Sequence, residues 1–155
     1  LMNRIIIRKG ALVLRYVLEE LKIKKTQCVM TFTEQMLFIT ERIVDYLEKH
    51  KEIITLMGKN FSNCLSYFNS IEDNELKSML DELVKENIES GDGEDITMKK
   101  IYLIVTIVGS VCYDSLVFES PFKINEIKPM LMASVESILT EHPQPPVLHT
   151  TDKTA

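Results

Sequence analysis

The stretch IYLIVTIVGSVCYDSLVF, Ile101 to Phe118, decides the fold, because it is apolar on nearly every side. Three structures suit such a run: a membrane span, a buried strand, or a helix with partners on two sides. Thirteen uncharged residues run from Ile101 to Tyr113 before Asp114 intervenes, and Glu119 and Pro121 follow. A span needs about 20 predominantly apolar residues, whereas a run of about 10–14 fits a buried core helix. A strand is usually about 5–6 residues long, and no second strand in the sequence offers to pair with this one. The stretch is expected to be a helix outside any membrane, buried on two faces.

Outward from it, apolar residues recur at helical spacing almost throughout. Residues 9–23 place Leu14, Val17, Leu18 and Leu21 on one stripe; residues 32–47 repeat it with Phe32, Met36, Ile39, Ile43, Tyr46 and Leu47. Thr31 or Thr33 suits the N-cap of the second, since a side-chain hydroxyl there accepts from a free backbone N–H. Residues 51–69 carry Ile54, Met57, Phe61, Cys64, Leu65 and Phe68 at the same spacing. Residues 74–89 follow, with Leu76, Met79, Leu80, Leu83 and Val84 behind a capping Asp73. ESGDGED, residues 89–95, breaks the pattern, and ESPF, residues 119–122, ends the opening stretch. A last helix is expected from about Asn125 to Glu141, with Ile127, Met130, Leu131, Val135, Ile138 and Leu139 on one face. The fold class is therefore all-α, about six helices, one domain over residues 1–141. The tail HPQPPVLHTTDKTA, residues 142–155, has three prolines and little apolar content, and reads as flexible.

Net charge is −5 over 155 residues, unevenly spread. Residues 1–25 hold seven cations against Glu19 and Glu20, a net +5, which leaves −10 on the remainder. Such a body does not suit bulk nucleic-acid binding, which needs concentrated Lys and Arg. Cys28, Cys64 and Cys112 are odd in number and set among apolar residues. That is the pattern of packed, reduced thiols in a cytoplasmic protein. RIIIRKGALVL lacks the small-residue cleavage site of a signal peptide.

Chemistry is sparse. The sequence has no Gly-rich phosphate loop, His-Glu-x-x-His, Cys-x-x-Cys or Gly-x-Ser-x-Gly. His50, His142 and His149 lack mutual metal-ligand spacing. Cys112 has no cation nearer in sequence than Lys100 and Lys123 to hold a thiolate. Glu89, Asp92, Glu94 and Asp95 lack the alternating ligands of a calcium loop. Neither an enzyme nor a metal or cofactor is expected. What stands out is adaptable apolar bulk: eight methionines and six phenylalanines without tryptophan. Met36, Phe38, Met57, Phe61, Phe68 and Met79 suit either ordinary core or a cavity that repacks around a hydrophobic ligand. Asn60, Tyr102 and Thr106 are the polar groups available to orient one.

Ile101, Val105, Val108 and Cys112 share one helical face, and the opposite side, with Leu103, Ile107, Ser110, Asp114 and Val117, is also largely apolar. The last helix shows a similar surplus at Met132 and Ala133. A homodimer pairing these two helices with their twins accounts for both, as a self-complementary four-helix interface.

RKGALVLRYVLEEL, residues 8–21, resembles the junction after the DNA-binding helices of TetR-family transcriptional regulators, where a Lys-x-x-Leu element matches Lys9 and Leu12. DYLEKHKEIITLM, residues 45–57, resembles that family's mid-domain turn. ESPFKINEIKPMLMASVESIL, residues 119–139, resembles its closing Pro-aromatic turn, acidic cap and dimerisation helix. Only seven residues precede Arg8, too few for a helix-turn-helix. The chain thus resembles the regulatory domain alone, reaching operator DNA only through an N-terminal head absent from it. The resemblance implies a homodimeric repressor domain that takes a small hydrophobic effector. Phe61, Leu65, Phe68, Tyr102, Val105 and Thr106 are expected to line its ligand cavity. Val108, Cys112, Leu116, Leu131, Val135 and Ile138 are expected at the dimer interface. The rival expectation is a helical interaction module that binds another protein and has no small-molecule site.

Overall fold

The computed structural model describes residues 2–58, 72–89 and 91–142. Phe61, Leu65, Phe68, Cys64 and the tail beyond His142 lie outside them. Among the described residues there are six α-helices and no strand. They are α1 (Met2–Gln27), α2 (Phe32–Lys49), α3 (Lys51–Met57), α4 (Asn74–Glu89), α5 (Glu94–Tyr113) and α6 (Ile124–Thr140); a π-helical turn, Asp114–Phe118, prolongs α5.

Local chemistry sets the boundaries. Thr31 opens α2 with a reciprocal capping box: its Oγ1 accepts from the Glu34 N–H at 3.2 Å, and the Glu34 carboxylate accepts from the Thr31 N–H at 2.8 Å. Asp73 opens α4, its Oδ1 accepting from the N–H groups of Glu75 and Leu76, each at 3.1 Å. Gly58 closes α3 with φ +58°, where a side chain would be strained. One boundary differs from expectation: α1 starts at Met2, not near residue 9. The stripe that Val13, Val17 and Leu21 bury continues backwards through Gly10 and the partly buried Ile6. Arg8 and Lys9 interrupt the apolar run without leaving the exposed side. The helix is 26 residues long, about 39 Å at 1.5 Å per residue.

α2 lies at the centre, touching every other helix. On one side, Val17, Leu18 and Leu21 of α1 meet Leu76 and Leu83 of α4 and Ile39 of α2. On the other, Val44 and Leu47 join Ile53, Ile54 and Met57 of α3, Ile104, Val108 and Cys112 of α5, and Leu131, Val135 and Leu139 of α6. Ion pairs tie the layers together at the rim. Arg15 holds Asp73 at 2.7 Å, and Lys128 of α6 holds Asp45 of α2 at 2.6 Å.

The opening stretch is the spine of the second cluster. By length and composition the helix Glu94–Phe118 suffices to cross a membrane; here Ile104, Val108, Cys112 and Leu116 bury one stripe of it against the chain's own helices. The residues expected at the dimer interface have these places in the single chain. Val108, Cys112, Leu116, Leu131 and Val135 are all buried within the subunit, and Ile138 packs partly buried against them. The 104-108-112 row of α5 and the 131-135-139 row of α6 fill the same core. The outward side of α5 carries Leu103, 48% exposed, and Ser110; that of α6 carries Met130, 69% exposed, with Ser134 and Ser137.

Candidate functional site

A cavity of about 430 Å³ separates the two core clusters, within the range of small-molecule sites. Five helices wall it. α1 contributes Ile6, Gly10, Ala11 and Leu14; α2 contributes Met36, Ile43 and Leu47; α3 contributes Ile53 and Met57. α4 adds Leu80 and Val84, and α5 adds Ile101, Ile104, Val105 and Val108. The four-residue repeat Ile101, Val105 points one row of α5 at the cavity, while Ile104 and Val108 bridge cavity and core.

Polar groups are few and sorted by depth. Thr40 lies on the wall, but its hydroxyl already donates to the Met36 carbonyl at 2.8 Å. Lys77 and Asp81 of α4 and Glu94 of α5 are exposed and stand at the rim. At Gly10 an added Cβ would sit 3.8 Å from Met57 Cε, an ordinary contact, so the site has room beside α1. Among the described residues, such a wall can solvate an apolar body, with Thr40 its buried polar group.

Of the residues expected here from sequence, Val105 lines the cavity. Tyr102 is half exposed, off the wall, and Thr106 spends its hydroxyl on the Tyr102 carbonyl at 2.8 Å. Phe61, Leu65 and Phe68 lie outside the described residues. Val108, expected at an interface, is a wall residue. Sequence reasoning missed the contribution of α1 before residue 9. The signal was present in Ile6, Gly10, Val13 and Val17, spaced by four, three and four.

A second polar cluster lies at the α4–α5 corner. Lys100 is buried; its ammonium is ion-paired with buried Asp92 and donates to the Leu139 carbonyl at 3.0 Å, near the end of α6. The other Asp92 oxygen lies 3.2 Å from Nδ1 of His142. His142 was expected to begin the flexible tail; its ring instead rests against this carboxylate. The Lys100 hydrogen bond holds the Asp92 carboxyl below the usual carboxylate range; burial opposes this and the His142 contact assists it. Beside it, Asn87 donates to the Thr97 hydroxyl, which donates to the Gly93 carbonyl at 3.0 Å. The acidic run therefore serves structure: Asp92 takes Lys100, and Asp95 takes Lys99 at 2.7 Å. No cluster with metal-ligand chemistry occurs among the described residues. Cys112 is fully buried, and burial pushes its thiol up to about 12, which keeps it protonated and unreactive.

No protein-family model, curated protein or solved structure matches the chain.

Proposed function

We propose that the domain senses a small hydrophobic effector and dimerises, as the regulatory domain of a TetR-like transcriptional repressor in the cytoplasm. One observation carries this reading: an aliphatic cavity of about 430 Å³ has α1 as a wall, and α1 holds the sequence RKGALVLRYVLEEL that resembles the family's junction helix. Filling the cavity bears on Ile6, Gly10 and Leu14. A ligand with different affinity for two positions of α1 shifts their populations. An N-terminal DNA-reading head joined to α1 would then lose operator affinity by that coupling. The dimer would use the outward sides of α5 and α6, around Leu103, Ser110, Met130 and Ser134, not the buried row.

Thermal shift and native mass spectrometry with a panel of hydrophobic compounds test the sensor. A ligand is expected to bind, and Val105→Trp, which fills the space, is expected to abolish it. The coding sequence upstream of Leu1 tests the regulator: it should encode a helix-turn-helix, and its lack would remove the repressor assignment. A second reading has its own support. Ile5, Leu12, Tyr16 and Ile23 form an exposed apolar stripe along α1, with Leu12 63% and Ile23 61% exposed. That stripe suits a protein-interaction module. Failure of every compound in the panel would favour it.

A further inference from the structure

The cavity's chemistry narrows the class of ligand, an inference that rests on the sensor reading above. Among the described residues, every apolar side chain of the wall is aliphatic or a thioether; Ile6, Leu14, Met36, Leu80, Val84 and Val105 are representative. Such side chains pack a flexible alkyl chain at any rotation about its axis. Among the described wall residues, Thr40 donates its hydroxyl hydrogen to its own helix and keeps only acceptor capacity. The described charges of the wall stand at the rim, which is where a ligand's charged end finds a partner. There, two carboxylates, Asp81 and Glu94, stand with one ammonium, Lys77, a net charge of −1 facing solvent. We infer that the ligand is a monocationic alkyl amphiphile, its chain inside and its positive head at the Asp81–Glu94 rim.

Capacity follows from volume. A cavity of about 430 Å³ lies near the lower end of small-molecule sites, so an alkyl chain of limited length fills it. Each buried methylene tightens binding about fourfold until the space is full.

Isothermal titration with n-alkyltrimethylammonium salts from octyl to tetradecyl, all below their micellar concentrations, tests this. Affinity is expected to climb about fourfold per methylene and then level off. The alkanoate of equal length is expected to bind more weakly. The pair Asp81→Asn and Glu94→Gln should cost the cation up to about fivefold per site, the range of exposed charge contacts, and leave the neutral alkanol unchanged. Both positions are exposed, so the fold tolerates them, and the thermal melt checks that. An alkanoate that binds more tightly than the cation overturns the inference, as does affinity that climbs without a plateau. If only rigid ring compounds bind, the sensor stands and the alkyl class falls. If no compound of any shape binds, both fall.

Discussion

A lysine buried among apolar helices is tolerable only with a full set of partners. Lys100 has them in Asp92 and the Leu139 carbonyl, the latter at a helix end where carbonyls lack intrahelical donors. Removing one member of a buried pair strands the other, at about 3–5 kcal/mol. Lys100→Met is expected to lose that much in urea unfolding at neutral pH, and Lys100→Met combined with Asp92→Leu to regain most of it. The pH dependence has a definite sign. Asp92 titrates lower folded than unfolded. Its contribution is complete above about pH 4, the unfolded carboxylate's range, and is lost as pH falls through the folded value. Acid titration of stability should show this slope in the native chain and lack it in the double variant. None of it was legible beforehand. The sequence shows Asp92 in an acidic run and Lys100 beside Lys99, with nothing to pair the two. Only the turn at Gly91, with φ +121°, folds the loop so that Asp92 meets the inner side of α5.

Single elements were far more legible. A cap is a local contact between neighbours three residues apart, so Asp73 announced α4 directly and the pair Thr31 and Thr33 announced α2, with Thr31 the one that caps it. Thr31→Ala breaks the capping box and should cost about 1 kcal/mol in chemical denaturation. Gly10→Ala should gain about 0.5–1 kcal/mol, because α1 is continuous there and the new methyl meets Met57 Cε at an ordinary distance. A denaturation midpoint lowered by Gly10→Ala would mean that α1 is strained or hinged at that residue. Where periodicity is ambiguous, the cause is symmetry. α5 is apolar on both sides, and spacing alone cannot say which side the rest of the chain will choose. α6 decides it, since its 131-135-139 row supplies the depth that Ile104, Val108 and Cys112 fill. That pairing lies between distant segments and leaves no mark in either one.

At the scale of the molecule, the helices resolve into two apolar clusters joined through α2, with the cavity between them. Light scattering on the intact protein is expected to give a dimer, and Leu103→Asp with Met130→Asp a folded monomer, since both side chains lie outside the core. A monomer in the native chain would leave the outward faces of α5 and α6 to another partner. The all-α class and the single apolar spine could be read from composition and run length. The cavity's walls could be read only in part, Val105 among them, because they depend on where five helices fail to touch.

The His142–Asp92 contact has a practical use. His142 sits on the strand of chain leaving α6, yet its ring reaches Asp92, two residues before the rim carboxylate Glu94. A label there is next door to the cavity mouth without occupying it. In a Cys28→Ser, Cys64→Ser background, with Cys112 buried, His142→Cys carrying an environment-sensitive fluorophore should change its emission when a compound enters the cavity. The same dye on Glu136→Cys, an exposed position of α6, a helix that contributes none of the described wall residues, should stay constant. The end of the last helix is thus a ready attachment point for an optical readout of cavity occupancy.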